Sequence, residues 1–261
     1  MQTLIDYYSN NDEEGRLLSK HGSVEFLTTM RYIDKYIKPG DKVLEIGAGT
    51  GRYSHALARQ GYEVDALELV EYHIDIFKKN TQPNEKITIR QGNALDLSDF
   101  ADNKYDITLL LGPMYHLYTK EDKITAINEA IRVTKQNGVI FIAYCISDPT
   151  ILMEFFRNTK FNIYEYIEQG MIDPNTFSTK SEPKDLFELV RKEHIDDLMS
   201  GINATRLHYV ATDGYTHHMN EAINEMDENL FDMYLKYHFA TCEREDMVGL
   251  SHHVIDVLRK K

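Results

Sequence analysis

Apolar residues along the chain alternate between short unbroken runs and stretches in which they recur every three or four positions. The runs "KVLEI", "EVDALEL", "KITIR", "YDITLLL" and "VIFIAYCI" mostly lack a polar face, which predicts strands covered on both sides. Helical spacing fills the gaps. Phe26, Met30, Ile33 and Ile37 follow a predicted cap at Ser23 and stop at "KPG". "YSHALARQ" ends at Gly61, and "VEYHIDIFKKN" closes on Asn80. "KITAINEAIRVTKQ" starts from the capping-box-like pair Thr119 and Asp122 and is predicted to end at Gly138. The alternation predicts an α/β fold, a doubly wound, mostly parallel sheet with helices on both faces.

After Asp148 the rhythm changes. "SEPKDLFELVRKE" predicts a crossover helix capped by Ser181, with Pro183 in its first turn. "RLHYVAT" and "SHHVIDVLRK" predict a sixth and a seventh strand, and "YTHHMNEAINEMDENLFDMYLKYHF" between them predicts a long helical segment. One domain is expected over 23–261, preceded by a polar segment at 1–22. Two helical insertions, at about 149–180 and 214–240, have the length and position of lids over the sheet.

Composition narrows the partners. A net charge of −13 with scattered basic residues disfavours nucleic acid, which binds basic stripes. No apolar run approaches the roughly 20 residues that span a bilayer, so no membrane partner is expected. The start has no signal-peptide order, and the two cysteines, Cys145 and Cys242, suit a reducing compartment; a cytoplasmic protein is expected. Composition says nothing about oligomeric state.

Sheets of this kind bind ligands just beyond the carboxyl ends of their strands. That rule selects Gly47 to Gly51, Glu68, Asn93 and the "GPMYH" segment. The turn after the first strand is E-x-G-x-G-x-G: Glu45, Gly47, Gly49, Gly51. Glycine there lets a ligand approach bare backbone. Arg52 occupies the position where a dinucleotide fingerprint needs its last glycine, which places a dehydrogenase last among the alternatives.

"VLEIGAGTG" resembles motif I of the class I S-adenosylmethionine-dependent methyltransferases, and the likeness in motif order extends from about residue 33 to 147. The resemblance implies a seven-stranded sheet whose last strand runs antiparallel, and S-adenosylmethionine as cofactor. It implies that Gly47, Ala48, Gly49 and Gly51 receive the methionine part, and that Glu45 meets its positive end. Glu68, with Leu69 beside it, would take the ribose hydroxyls, a carboxylate offering two acceptors in a fork. "GNALD" resembles the third motif, so Asn93 and Ala94 would bracket the adenine, with Leu111 at the fourth strand's exit. Many relatives carry aspartate where this chain has Asn93.

Methyl transfer from a sulfonium is an in-line displacement that mainly needs alignment, with a base only when the acceptor keeps its proton. The segment "GPMYHL" is not the Asn/Asp-Pro-Pro-Tyr/Phe motif of many amino-methylating enzymes; it resembles that of a bacterial subgroup of the family. His116 is the candidate base, because imidazole titrates near neutrality. Tyr115, Tyr8 and Arg16 are candidate substrate contacts. The pairs His217–His218 and His252–His253 each diverge along their own element, so neither chelates one ion and no metal is expected. The expected function is methyl transfer to an oxygen or nitrogen of a small molecule. The alternatives are an RNA or protein methyltransferase and a non-catalytic cofactor-binding protein.

Overall fold

The computed structural model describes residues 19–261. Its elements in chain order are α1 (Lys20–Asp34), β1 (Lys42–Ile46), α2 (Arg52–Arg59), β2 (Glu63–Glu68), α3 (Glu71–Asn80), β3 (Ile87–Gln91) and β4 (Tyr105–Leu110). Next come α4 (Lys120–Val133), β5 (Thr134–Ile146), α5 (Ser147–Ile151), α6 (Ile163–Glu168), β6 (Leu189–Val190), α7 (Lys192–Met199) and β7 (Ala204–Ala211). The last four are α8 (Asn220–Glu225), α9 (Glu228–Thr241), α10 (Glu245–Val248) and β8 (His253–Lys260). The strands form one sheet in the order β3-β2-β1-β4-β5-β8-β7, with the two-residue β6 paired to β5. β8 alone runs against its neighbours: Phe141 faces Val257, and Val210 faces Ile255.

The core is the apolar content of the central strands. Val43, Leu44, Leu109, Leu110, Ile140 and Phe141 are fully buried, because both sheet faces are covered by helices. Met30 and Ile33 of α1 are buried as their helical spacing predicts, whereas Phe26 is half-buried and stacks on Tyr53 of α2, ring centres 5.1 Å apart.

Four local expectations are corrected. α1 starts earlier than the Ser23 cap, because Ser19 Oγ accepts the Gly22 N–H at 3.1 Å and supplies the cap. α4 ends at Val133 rather than Gly138; Thr134 turns its hydroxyl onto the Ala130 carbonyl and pairs with Tyr105, so residues 134–138 already belong to β5. The crossover helix expected from Ser181 is absent until α7. Pro183–Asp185 make a 3-10 turn, Leu186 adopts φ +70°, and Leu189–Val190 join the sheet, with Ser181 Oγ accepting the Leu189 N–H. The long helix at 214–240 is broken, since Asp227 caps a new start by accepting the Leu230 N–H.

Candidate functional site

Three of the glycines after β1 have positive φ, and each for its own reason. Gly47 (φ +76°) lies so close to Pro113 that a Cβ would come within 2.6 Å of its ring. Gly49 (φ +55°) has nothing within 4 Å of where a Cβ would be, so the protein itself does not fill that space. Gly51 (φ +94°) would drive a Cβ into Phe77 at 2.5 Å. Gly47, Ala48 and Gly49 line a cavity of about 450 Å³, whereas Gly51 is absent from its wall and packs α2 onto α3. The volume falls within the range of roughly 300–1,000 Å³ usual for ligand pockets.

The two acids stand as expected at the strand ends, with partners of their own. Glu68 accepts the Gly49 N–H at 2.7 Å through one oxygen and the Val70 N–H at 2.8 Å through the other. It therefore pins the glycine loop to the start of α3, and each oxygen retains a second lone pair. Burial favours its neutral form, but these N–H groups and nearby His73 outweigh it and hold the carboxyl below the usual range. Glu45 is 2% exposed and accepts both the N–H and the hydroxyl of Ser54 in the first turn of α2. Burial dominates there and pushes its pKa to about 8, with Glu68 adding to the rise.

Leu69, Asn93, Ala94 and Leu111 complete that end of the cavity. Asn93 Oδ1 accepts the Leu95 N–H at 3.0 Å, so the side chain shapes its own turn as well as facing the ligand space. The rest of the wall includes Tyr115, His116 and Tyr118 from the segment after β4, Pro183 and Leu186, and Glu25 and His253. His116 Nδ1 donates to the Leu186 carbonyl at 2.8 Å, and Tyr118 donates to the same oxygen at 2.7 Å. That bond assigns the Nδ1–H tautomer and makes Nε2 the basic nitrogen. Burial lowers the pKa of His116. Tyr8 and Arg16 lie outside the described residues.

Neither insertion expected as a lid lines the cavity; Pro183 and Leu186, from the stretch just after the first insertion, do. Glu25 and His253 were missed. His253 was legible in principle, because an antiparallel last strand begins at the edge where the parallel strands end. The same reasoning applies to Asp213, just past the end of β7. Asp213 is fully buried and accepts from His253 Nδ1 at 2.7 Å, with His217 Nε2 3.2 Å away. Asp213 thus unites one histidine from each of the pairs His217–His218 and His252–His253. Burial opposes charge on Asp213 and His253 alike. The ion pairs prevail, with Asp213 held well below the carboxylate range and His253 well above the imidazole range, the latter also through Glu25 and Cys145.

The cavity fits S-adenosylmethionine on the chemistry of its wall: open space beside Gly49, the charged Glu68 for a cationic ligand with ribose hydroxyls, and apolar Leu69, Ala94 and Leu95 for a flat base.

Residues 44–142 match the methyltransferase domain family. The chain is 31% identical over 108 residues to demethylmenaquinone methyltransferase of Lysinibacillus sphaericus, covering 40% of this chain and 44% of that protein. It is 29% identical over 119 residues to ribosomal protein L11 methyltransferase of Ruminiclostridium cellulolyticum, covering 41% and 38%. The chain thus spans less than half the length of these curated relatives. Among solved structures, a SAM-dependent methyltransferase from Archaeoglobus fulgidus superposes with TM-score 0.57 at 16% identity, covering 92% of this chain and 95% of that one. A [4+2]-cyclase superposes with TM-score 0.57 at 14% identity, covering 90% and 81%. These structural likenesses show a shared fold.

Proposed function

We infer that this chain, which over residues 44–142 belongs to the class I S-adenosylmethionine-dependent methyltransferases, moves the cofactor's methyl group onto an oxygen or nitrogen of a small molecule. Bound S-adenosylmethionine supplies an electrophilic methyl on a sulfonium. The chain's own residues supply the rest. Gly47–Gly49 and Glu68 hold the cofactor end of the cavity, and Tyr115 and His116 face the acceptor end. His116 Nε2 takes the proton of an acceptor that arrives protonated, while the Leu186 carbonyl fixes its tautomer. Leu186 and Pro183 cover the site and exclude water.

The observation that carries this reading is a single cavity lined both by the glycine loop and by a tautomer-fixed imidazole. A small acceptor suits the acidic chain better than RNA, at a net charge of −13. The relatives are named for demethylmenaquinone and for ribosomal protein L11, so the shared segment does not choose the acceptor.

Calorimetry on the full chain should show S-adenosylmethionine binding and no NAD binding. A metabolite extract supplied with methyl-labelled cofactor should yield a labelled small molecule. His116→Ala should slow that turnover by about 10²–10⁴-fold with little change in cofactor affinity. Tight NAD binding, or label appearing only on protein or RNA, would reverse the assignment.

A further inference from the structure

Among the described residues, a group of side chains able to ligate one ion lies where β7 ends and β8 begins. We propose that Asp213, His217 and His253 form a binding site for one first-row divalent metal ion, opening on the acceptor end of the cavity. The site's effect on the acceptor rests on the methyltransferase reading; its existence does not.

Geometry comes first. One donor atom from each of the three residues lies within 4.8 Å of the other two. Ligands about 2.0–2.2 Å from a common ion stand about 3–3.5 Å apart. His217 Nε2 is 3.2 Å from Asp213 Oδ2, and His253 Nδ1 is 2.7 Å from the same oxygen, so small adjustments admit an ion where protons now bridge. Two imidazoles and one carboxylate are borderline donors that suit zinc, cobalt or iron(II) better than magnesium. Three protein ligands leave a coordination position open, as catalytic metal sites do.

The surroundings are built for ligation. Asp213 Oδ1 accepts from Ser251 Oγ at 2.5 Å and from the His253 N–H at 3.3 Å, which holds the carboxylate with Oδ2 toward both histidines. Glu25 Oε2 is 3.7 Å from His253 Nδ1 and stands beside the ligand set. Both Glu25 and His253 line the cavity, so that side of the cluster faces the ligand space. Two further imidazoles crowd behind: His252 is 4.9 Å from His217 and His218 is 5.4 Å from His252, ring to ring. Their Nε2 atoms are buried without a hydrogen-bond partner among the described residues. A structural ion-pair network gains nothing from imidazole nitrogens buried unpaired. An ion at the open position would hold an acceptor's oxygen, nitrogen or sulfur beside Tyr115, whose ring centre is 5.9 Å from that of His253.

The test uses the metal-stripped full chain titrated with cobalt(II) chloride. Bound cobalt is counted by equilibrium dialysis and its ligand set is read from the visible absorption. About one equivalent per chain is expected, with affinity more than about 10-fold weaker in His217→Ala and in His253→Gln. Circular dichroism confirms that the variants are folded. Failure of the unsubstituted chain to retain cobalt, or unchanged affinity in both folded variants, overturns the site. Cofactor calorimetry on the same stripped protein reads the other proposal alone. Cobalt binding without cofactor binding would sink the methyltransferase reading and leave the metal site standing; the reverse would sink only the metal site.

Discussion

The carbonyl of Leu186 decides which nitrogen of His116 can take a proton. Because burial holds this imidazole below its ordinary pKa of about 6.5, it stays neutral at neutral pH. The rate kcat/KM should therefore be flat above that value and fall as acid protonates His116; an acid limb centred above it would exclude His116 as the base. Glu45 acts with a different sign. Its carboxyl titrates near 4.5 when unfolded and near 8 in place, so between those values the folded chain keeps a proton that the unfolded chain has lost. Stability from this group is present below about 4.5 and is lost as pH rises through about 8. Urea unfolding of Glu45→Gln at several pH values should show that part of the decline removed. Gly51 sits where only glycine fits. Gly51→Ala should cost roughly 2–4 kcal/mol in the same assay, from the Phe77 clash and the positive φ.

At the scale of elements, the first half of the chain was legible because its signals are local. Unbroken apolar runs, a glycine turn and an acid at a strand end are properties of a few neighbouring residues. α1 and the end of α4 were misplaced by a few residues because capping depends on which hydroxyl finds the N–H or carbonyl, as Ser19 and Thr134 do. The stretch at 183–190 was illegible for a different reason. Its helix is undone by contacts with residues far off in sequence, from His116 and Tyr118 to the Leu186 carbonyl and from the Glu188 N–H to Tyr115. The break before α9 carries a local signal after all, an aspartate followed by a helical run. Asp227→Ala should cost about 1 kcal/mol, measured by thermal unfolding.

For the molecule as a whole, the two halves of the cavity wall were unequally visible. The family likeness covers residues 44–142, and so does most of the glycine-rich end of the cavity. Glu25, Leu186 and His253 come from outside it, and only the fold brings them together. The placement of β8 also constrains the order in which the chain can assemble. Among the described residues β7 has no sheet partner except β8, and β5 meets that same strand along Val139–Cys145. In the finished sheet, β8 fills the one strand's width between β5 and β7. Residues 253–260 follow both in the chain, so this sheet closes only when they enter between the two like a keystone.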